Sequence, residues 1–497
     1  MSLPPTPHPK RWTALFFIAL AQLMVVLDAT IVNIALPSAQ HDLGITDGNR
    51  QWVITAYTLA FGGLLLLGGR IADMAGRKRT FVIGLIGFAG ASAIGGAAVN
   101  TGMLLGARAL QGAFGALLAP SALSLLAVTF TEAKERAKAF GIFGAIAGGG
   151  GALGLILGGV LTEYLNWRWA LYVNVPFAAV AAAGAIAVVH EPADSRNSNR
   201  LDIPGVVLAT LGLVSLVYGF TRAESDGWGA GVTIGLFVAA AVLLAGFAVV
   251  EGKVKAPLLP LRVVTERNRA GVYLSLGLAV IGMFGLFLFL TYYLQIVKGY
   301  TPVMTGLAFL PMIAGMITGS TQIGARLMTR VPARRLMGPG FLVAALGMLM
   351  LTQLKVDSSY AALILPAQIL LGLGMGTAFM PAMSLATYGV QPRDAGVASA
   401  MVNTSQQVGG SIGTALLNTI AASATTSWLV SHGGNPKLIN EAAVHGYAAA
   451  IWWAVGILAV SSAIAFTFIN AGGQGGTVVS GSSEGSEEEV PVPVIAH

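Results

Sequence analysis

The chain has 497 residues, of which 55% are hydrophobic and only 10% are charged. A soluble domain usually has about 25% charged residues, and a chain this long cannot build a polar surface from so few charges. The composition therefore excludes both a soluble globular protein and a disordered one. The lack of cysteine excludes a disulfide framework, thiolate metal sites and a cysteine nucleophile.

In chain order, fourteen segments are predicted to be membrane helices, because a helix needs about 20 mostly apolar residues to cross the hydrocarbon core. They are 12–36, 51–70, 80–99, 102–127, 138–161, 169–189, 203–221, 231–250, 270–297, 303–328, 336–354, 360–386, 395–424 and 446–470. None has the strict alternation of a membrane β-strand. The first is too long for a signal peptide and lacks a small-residue cleavage site, so we interpret it as a spanning helix.

The basic residues predict the orientation of these helices. With the N-terminus inside, twenty-one of the 28 Lys and Arg residues fall in cytoplasmic loops, six fall outside, and Arg108 lies within a span. An error in the number of spans would mix the basic residues of the cytoplasmic loops with those of the outer loops. The unequal distribution of basic residues therefore favours both the count of fourteen spans and cytoplasmic termini. The net charge of +7 therefore reflects topology, and no nucleic-acid partner is expected.

Two charged residues lie well inside predicted spans, Asp28 in the first and Arg108 in the fourth. A carboxylate at mid-helix costs about 2.5–3.5 kcal/mol on insertion scales, so something must offset it. At a rise of about 1.5 Å per residue, both lie roughly 9–12 Å below the outer surface, which permits an interaction. Two interpretations are open. In the first, the charges are structural, either as an ion pair or as an arginine that reaches the lipid headgroups. In the second, Asp28 is a titrating carboxylate that couples proton movement to substrate movement.

Polar uncharged residues cluster in the thirteenth span, among them Asn403, Gln407 and Asn418. They indicate either amides that bond across packed helices or the wall of a polar cavity. Glycine-rich runs at 148–154 and 372–376 lie inside apolar spans with no preceding strand, so they predict helix packing rather than nucleotide binding. The sequence has no Walker motif and no metal-binding histidine cluster, so we expect neither an enzyme nor a cofactor.

Several segments resemble motifs of one transporter family. The loop Gly69 to Arg79, GRIADMAGRKR, resembles the signature loop of the major facilitator superfamily. The segment Leu27 to Pro37, LDATIVNIALP, resembles the first-helix motif of its fourteen-span drug:proton antiporter branch. The segment Leu105 to Gly112 is similar to the fourth-helix motif, whose arginine the family associates with proton coupling.

The resemblance implies an all-α integral membrane protein with the major facilitator fold and 14 transmembrane helices arranged 6+2+6. A weak internal repeat, in which Gln368 and Gly372 echo Arg108 and Gly112, agrees with two six-helix halves around a two-helix insert. The predicted parts are a cytoplasmic N-terminus (1–11), an N-terminal bundle (12–190), the insert (203–250), a cytoplasmic linker (251–269), a C-terminal bundle (270–470) and a disordered acidic tail (471–497).

The resemblance also implies functional residues. Asp28 and Arg108 are predicted to couple proton movement to transport. The predicted cytoplasmic gate consists of Gly69, Asp73, Gly76, Arg77 and Lys78. The predicted substrate-binding residues are Asp28, Asn33, Tyr57, Gln111, Asn403 and Gln407. The predicted antiporter-like packing motif of the fifth helix consists of Gly154, Gly158 and Gly159.

We expect proton-coupled export of a hydrophobic or amphipathic small molecule such as a drug or antibiotic. Spans two and thirteen lack further carboxylates, which favours neutral, zwitterionic or singly charged compounds over dications. Leu155 stands where the fifth-helix motif usually has proline, so the helix bend and the direction of transport stay open. The alternatives are a proton symporter or facilitator for nutrient uptake, and a non-transporting scaffold or sensor. The expected partners are the substrate, protons and the lipid bilayer of the cytoplasmic membrane, and we expect a monomer.

Overall fold

The computed structural model describes residues 10–130, 132–189, 202–254, 257–328, 330–387 and 395–470. Most of these residues are helical, and no strand occurs among them. The first six long helices are α1 (Arg11–Leu43), α2 (Trp52–Ala75), α3 (Arg77–Gly96), α4 (Thr101–Thr129), α5 (Ala133–Tyr164) and α6 (Trp169–Tyr172 continued by Asn174–Val188). The predicted acidic tail, and all but the last two residues of the predicted N-terminal segment, lie outside the described residues.

The remaining helices include several π-helical turns. They are α7 (Ile203–Asp226), α8 (Gly231–Lys253), α9 (Arg267–Tyr292 and the π turn Tyr293–Val297), α10 (Pro302–Leu327, with a π turn at Gly319–Gly324), α11 (Arg334–Leu351), α12 (the π turn Tyr360–Ile364 and Leu365–Thr387), α13 (Ala395–Ser431) and α14 (Ile439–Phe468). A short helix, Leu261–Val264, lies in the linker between α8 and α9.

Twelve of these helices, within the described residues, are long and apolar enough to cross a membrane. The other two, α5 and α13, have 32 and 37 residues. A helix satisfies its own backbone hydrogen bonds, which is why an all-helical chain with this many apolar helices is a multi-pass membrane protein. The count of fourteen spanning helices stays a prediction.

The helices pack in two groups with the same pattern. In the first group α1 packs on α5 and α6, α2 packs on α4, and α3 packs on α4 and α6. In the second group α9 packs on α13 and α14, α10 packs on α12, and α11 packs on α12 and α14. Each of these contacts in the first group therefore has an equivalent in the second group, between the two helices whose numbers are higher by eight.

Glycines let equivalent helices in the two groups meet backbone to backbone. A Cβ atom at Gly112 of α4 would lie 2.3 Å from the carbonyl oxygen of Tyr57 on α2. A Cβ atom at Gly372 of α12 would lie 2.0 Å from the carbonyl oxygen of Met312 on α10. No larger residue fits at either position, so the helix-packing interpretation of the 372–376 run is confirmed.

The two groups meet along α2 and α13 and along α5 and α10. Helices α7 and α8 pack on each other, and α7 also packs on α2 and α13. The hydroxyl of Thr210 on α7 donates to the carbonyl of Gly63 on α2 at 3.4 Å. The hydroxyl of Thr419 on α13 donates to the carbonyl of Phe220 on α7 at 3.0 Å. The α7–α8 pair therefore lies against both groups.

Candidate functional site

A buried ion pair joins α1 and α4. The Arg108 Nη1 atom lies 2.7 Å from Oδ2 of Asp28, and the two residues are 1% and 0% exposed. The Arg108 Nε atom also donates to the carbonyl oxygen of Val53 on α2 at 2.9 Å. The only two charged residues that the sequence places well inside spans therefore compensate each other's charge, which offsets the cost of burying each one.

Neutral side chains from further helices complete the cluster around Asp28. The amide nitrogens of Gln111 and Asn174 donate to its Oδ1 atom at 3.0 and 2.8 Å. Gln111 also accepts from Arg108 at 2.8 Å and donates to Ser92 on α3 at 2.7 Å. Both carboxylate oxygens of Asp28 therefore have hydrogen-bond donors.

The cluster around Asp28 connects several helices of the first group. The guanidinium carbon of Arg108 lies 4.4 Å from the centre of the Tyr57 ring on α2. Five of the six helices in the first group contribute to the cluster: α1, α2, α3, α4 and α6. The charge-assisted contact between Asp28 and Arg108 is therefore at the centre of contacts among these five helices.

The predicted substrate-binding residues fall into three places. Tyr57 and Gln111 are buried in the Asp28 cluster, at 1% and 0% exposure. Asn33 lies further along α1, where its amide donates to the Ala29 carbonyl and its side-chain oxygen has no hydrogen-bond partner among the described residues. Asn403 and Gln407 are partly exposed on α13. The structure therefore brings Asp28, Tyr57 and Gln111 together, and leaves Asn33 and the α13 amides at separate positions.

Hydroxyl pairs join α2 to α13. Thr55 and Thr414 lie 2.7 Å apart through their Oγ1 atoms, and Thr58 and Ser411 are joined by a hydrogen bond of the same length. All four are buried. Part of the polar face of α13 therefore bonds across packed helices, as one of the two sequence interpretations expects.

A second polar cluster joins the two groups at the end of the bundle opposite the N-terminus. We call it the Arg50 latch, and it consists of Gln40, Asp47, Arg50, Tyr292 and Asn418. Arg50 forms an ion pair with Asp47 at 3.2 Å and donates to Asn418 on α13 at 3.2 Å. Its guanidinium carbon lies 4.1 Å from the centre of the Tyr292 ring on α9. Gln40 accepts from Tyr292 and donates to Asp47 at 2.8 Å.

Arg50 is 7% exposed and stays charged in this position. Burial by itself lowers the pKa of Arg50, but Tyr447, Tyr292 and Asp47 raise that pKa, and the net pKa is above its ordinary value. Sequence reasoning missed the latch because Arg50 lies in a loop, where a basic residue is usually solvated. Its partners on α9, α13 and α14 lie far away in the chain.

The predicted cytoplasmic gate lies where α2 turns into α3. Gly76 ends α2 and precedes α3 with a φ of 100°, a conformation that favours glycine. Lys78 donates to the carbonyl of Ile186 on α6 at 2.9 Å, and Gly69 lies beside Pro120 of α4. Arg77 is the first residue of α3. The backbone of Asp73 lies in α2, and its side chain is outside the described residues.

The three glycines of the predicted fifth-helix motif face two different helices. Cβ atoms at Gly154 and Gly158 would lie 3.1 and 3.0 Å from the carbonyl oxygens of Leu27 and Ile31 on α1. A Cβ atom at Gly159 would lie 2.7 Å from the carbonyl oxygen of Pro302 on α10. The glycine surface therefore packs α5 on α1 and on the second group, and α5 is continuous from Ala133 to Tyr164 with Leu155 in place of proline.

Residues 18–414 match the family model described as Major Facilitator Superfamily. The chain belongs to the major facilitator superfamily. Among solved structures, this major facilitator protein is similar to an auto-inhibited peptide transporter of the POT family. That likeness has a TM-score of 0.67 with 17% identity and covers 92% of this chain and 98% of the other, so it shows the fold.

Two curated relatives of this major facilitator protein are named after antibiotics. A puromycin resistance protein of Streptomyces alboniger is 53% identical, with 94% of this chain and 92% of the relative covered. A cephamycin export protein of Amycolatopsis lactamdurans is 40% identical, with 85% of this chain and 88% of the relative covered.

Proposed function

We propose that this major facilitator protein exports antibiotic-like, hydrophobic or amphipathic small molecules in exchange for protons. The observation that carries the proposal is the buried Asp28–Arg108 pair, because it provides a carboxylate whose protonation changes contacts among several helices. The names of the relatives at 53% and 40% identity support the substrate class. The chemistry belongs to side chains of this chain and needs no cofactor.

Two halves move relative to each other in this proposal. The packing pattern that recurs eight helices later supports a 6+2+6 arrangement of fourteen spans, in which α1–α6 and α9–α14 are the halves and α7–α8 are the insert. The predicted boundaries of the two bundles, the insert and the linker are retained. The positive-inside distribution supports cytoplasmic termini, so the Arg50 latch closes the outer end. The transporter acts as a monomer.

The proton cycle follows from the contacts of Asp28. A proton that arrives from outside neutralises the carboxylate and releases the Arg108 guanidinium from its ion pair. The released helices reorient, and the proton leaves on the cytoplasmic side before substrate binds again. The substrate competes with the proton for the polar groups of α1 and α13, so export of the substrate is coupled to entry of the proton. Asn33, Asn403 and Gln407 are the proposed additional substrate contacts.

Proteoliposomes with an acidic interior test this function. Puromycin or a cephamycin added outside should collapse the pH gradient, because each antibiotic molecule taken up is exchanged for internal protons. Protein-free liposomes give the background rate. A uniporter would leave the gradient unchanged, whereas a symporter would make external antibiotic enter with external protons and would deepen an acidic interior. A gradient that neither antibiotic affects contradicts the proposal.

The cytoplasmic gate adds a separate prediction. Asp73→Asn should lower turnover by about tenfold, a typical coupling between sites, because the signature loop then keeps its basic residues but loses its carboxylate. Transport of radiolabelled antibiotic into proteoliposomes measures the effect. Asp42→Asn is the matched control, since its half-exposed carboxylate pairs with Arg168 at the opposite end of the bundle. Normal turnover of the Asp73 variant would remove Asp73 from the gate.

A further inference from the structure

Two carboxylates lie outside the site described above, where the α7–α8 pair meets the linker. Asp202 precedes α7 and is 5% exposed, and Glu251 lies in the last turn of α8 and is 3% exposed. One oxygen of each is bonded to a backbone N–H: Asp202 Oδ1 accepts from Gly205 at 3.0 Å, and Glu251 Oε2 accepts from Leu259 at 3.0 Å.

The other two oxygens face each other. Asp202 Oδ2 and Glu251 Oε1 are buried and have no hydrogen-bond partner among the described residues. Both converge on Gly205, where a Cβ atom would lie 2.6 Å from the Asp202 oxygen and 2.8 Å from the Glu251 oxygen. Two ionised carboxylates would repel each other here, since neither can donate a hydrogen bond. One proton between them turns the repulsion into a short, charge-assisted hydrogen bond.

We propose that Asp202 and Glu251 share one proton and form a proton-binding site that fastens the α7–α8 pair to the linker. The linker is held at two neighbouring points. Glu251 accepts from the backbone of Leu259, and Arg70 of α2 donates to the carbonyl of Pro257. Arg70 follows the first glycine of the signature loop, so the site connects the insert to the cytoplasmic end of α2.

The surroundings favour a proton over a metal ion. Arg70 is the cation near Glu251, and Asp202 is the acidic group that faces it. Only two carboxylate oxygens remain free, because backbone N–H groups occupy the other two. A calcium ion takes about 6–8 oxygen ligands, and a magnesium ion needs near-octahedral coordination. Two carboxylate oxygens meet neither requirement.

Amide variants of the full-length protein in detergent test the site. In Glu251→Gln the side-chain amide supplies the donor that the proton supplied, so the contact to Asp202 is kept without titration. Deprotonation of the wild-type pair leaves two adjacent buried charges, whereas the unfolded chain ionises both groups without that repulsion. The melting temperature of the wild type should therefore fall as the pH rises from mildly acidic to mildly alkaline values, and that of Glu251→Gln should fall less.

Glu266→Gln is the matched control, because this carboxylate lies in the same linker and is already fully bonded. Burial alone raises the pKa of Glu266, but N–H groups of Arg269 and Asn268 lower that pKa, and the net pKa is below its ordinary value. Glu266 is therefore ionised across this pH range, and its amide variant should keep the wild-type pH profile.

Trypsin cleavage after Lys253 or Arg262 provides a second readout at one pH. Glu251→Gln should be cut within about twofold of the wild-type rate, and Glu251→Ala should be cut about tenfold faster because the linker is released. Equal, fast cleavage of the two variants, or a Glu251→Gln melting profile with the full wild-type pH dependence, would overturn proton sharing. A melting temperature that a chelator lowers would assign the pair to a metal ion instead. Neither readout depends on transport.

Discussion

Asp28→Asn is expected to abolish proton-driven antibiotic uptake into proteoliposomes while exchange of antibiotic without a pH gradient continues. Asparagine has nearly the same size as aspartate and can still accept the hydrogen bonds from Gln111 and Asn174. It cannot bind or release a proton at accessible pH, and it cannot neutralise Arg108. The chemical step of coupling is therefore removed while the shape of the site is kept.

The stability of this variant must be measured together with transport. Removing one partner of a buried ion pair typically costs about 3–5 kcal/mol, because the remaining charge is uncompensated. The double variant Asp28→Asn/Arg108→Gln removes both charges and should recover stability without recovering coupling. Asp42→Asn, which alters an exposed pair, should keep both stability and coupling.

These variants separate the two interpretations of the buried pair. A structural ion pair predicts that the double variant, once stable, still dissipates the pH gradient when antibiotic is added. A coupling carboxylate predicts that it does not. Unchanged gradient dissipation in folded Asp28→Asn protein would contradict the proposed mechanism.

Arg50→Ala is expected to open the outer end of the bundle. Arg50 is the centre of the latch, where it contacts Asp47 of its own half and Asn418 and Tyr292 of the other. Alanine removes all three contacts, so the equilibrium shifts towards states in which the outer ends separate. Since the chain has no cysteine, a single introduced cysteine can report this opening without background.

Ala39→Cys is a suitable reporter because Ala39 is 3% exposed and lies near the end of α1 that we propose faces the outside. Its labelling by a membrane-impermeant maleimide should be about tenfold faster in the Arg50→Ala background, which corresponds to about 1.4 kcal/mol of latch stability. Arg168→Ala is the control, because Arg168 pairs with Asp42 within the first group and does not bridge the halves. Equal labelling in the Arg50→Ala and control backgrounds would show that the latch does not hold the halves together.

The sequence could identify Asp28 and Arg108 because a charged residue is conspicuous in an apolar span. Their pairing could be suggested from similar depth, but only the packing of the helices brings the two side chains to within 2.7 Å. Gln111 was expected at the substrate site, and the structure places it between Asp28, Arg108 and Ser92. Asn174 was not identified, because nothing in the local sequence indicates that it reaches Asp28.

By itself the sequence determined that this is a helical membrane protein of the major facilitator type, because hydrophobic length, charge asymmetry and motif order are local properties of the chain. Only the tertiary structure decided which polar groups meet. The Arg50 latch joins residues of helices that are far apart in the chain. The Asp202–Glu251 pair joins the start of α7 to the end of α8. The low charge content again explains their importance: with only 10% charged residues, each buried charge needs a partner, and folding decides which partner it finds.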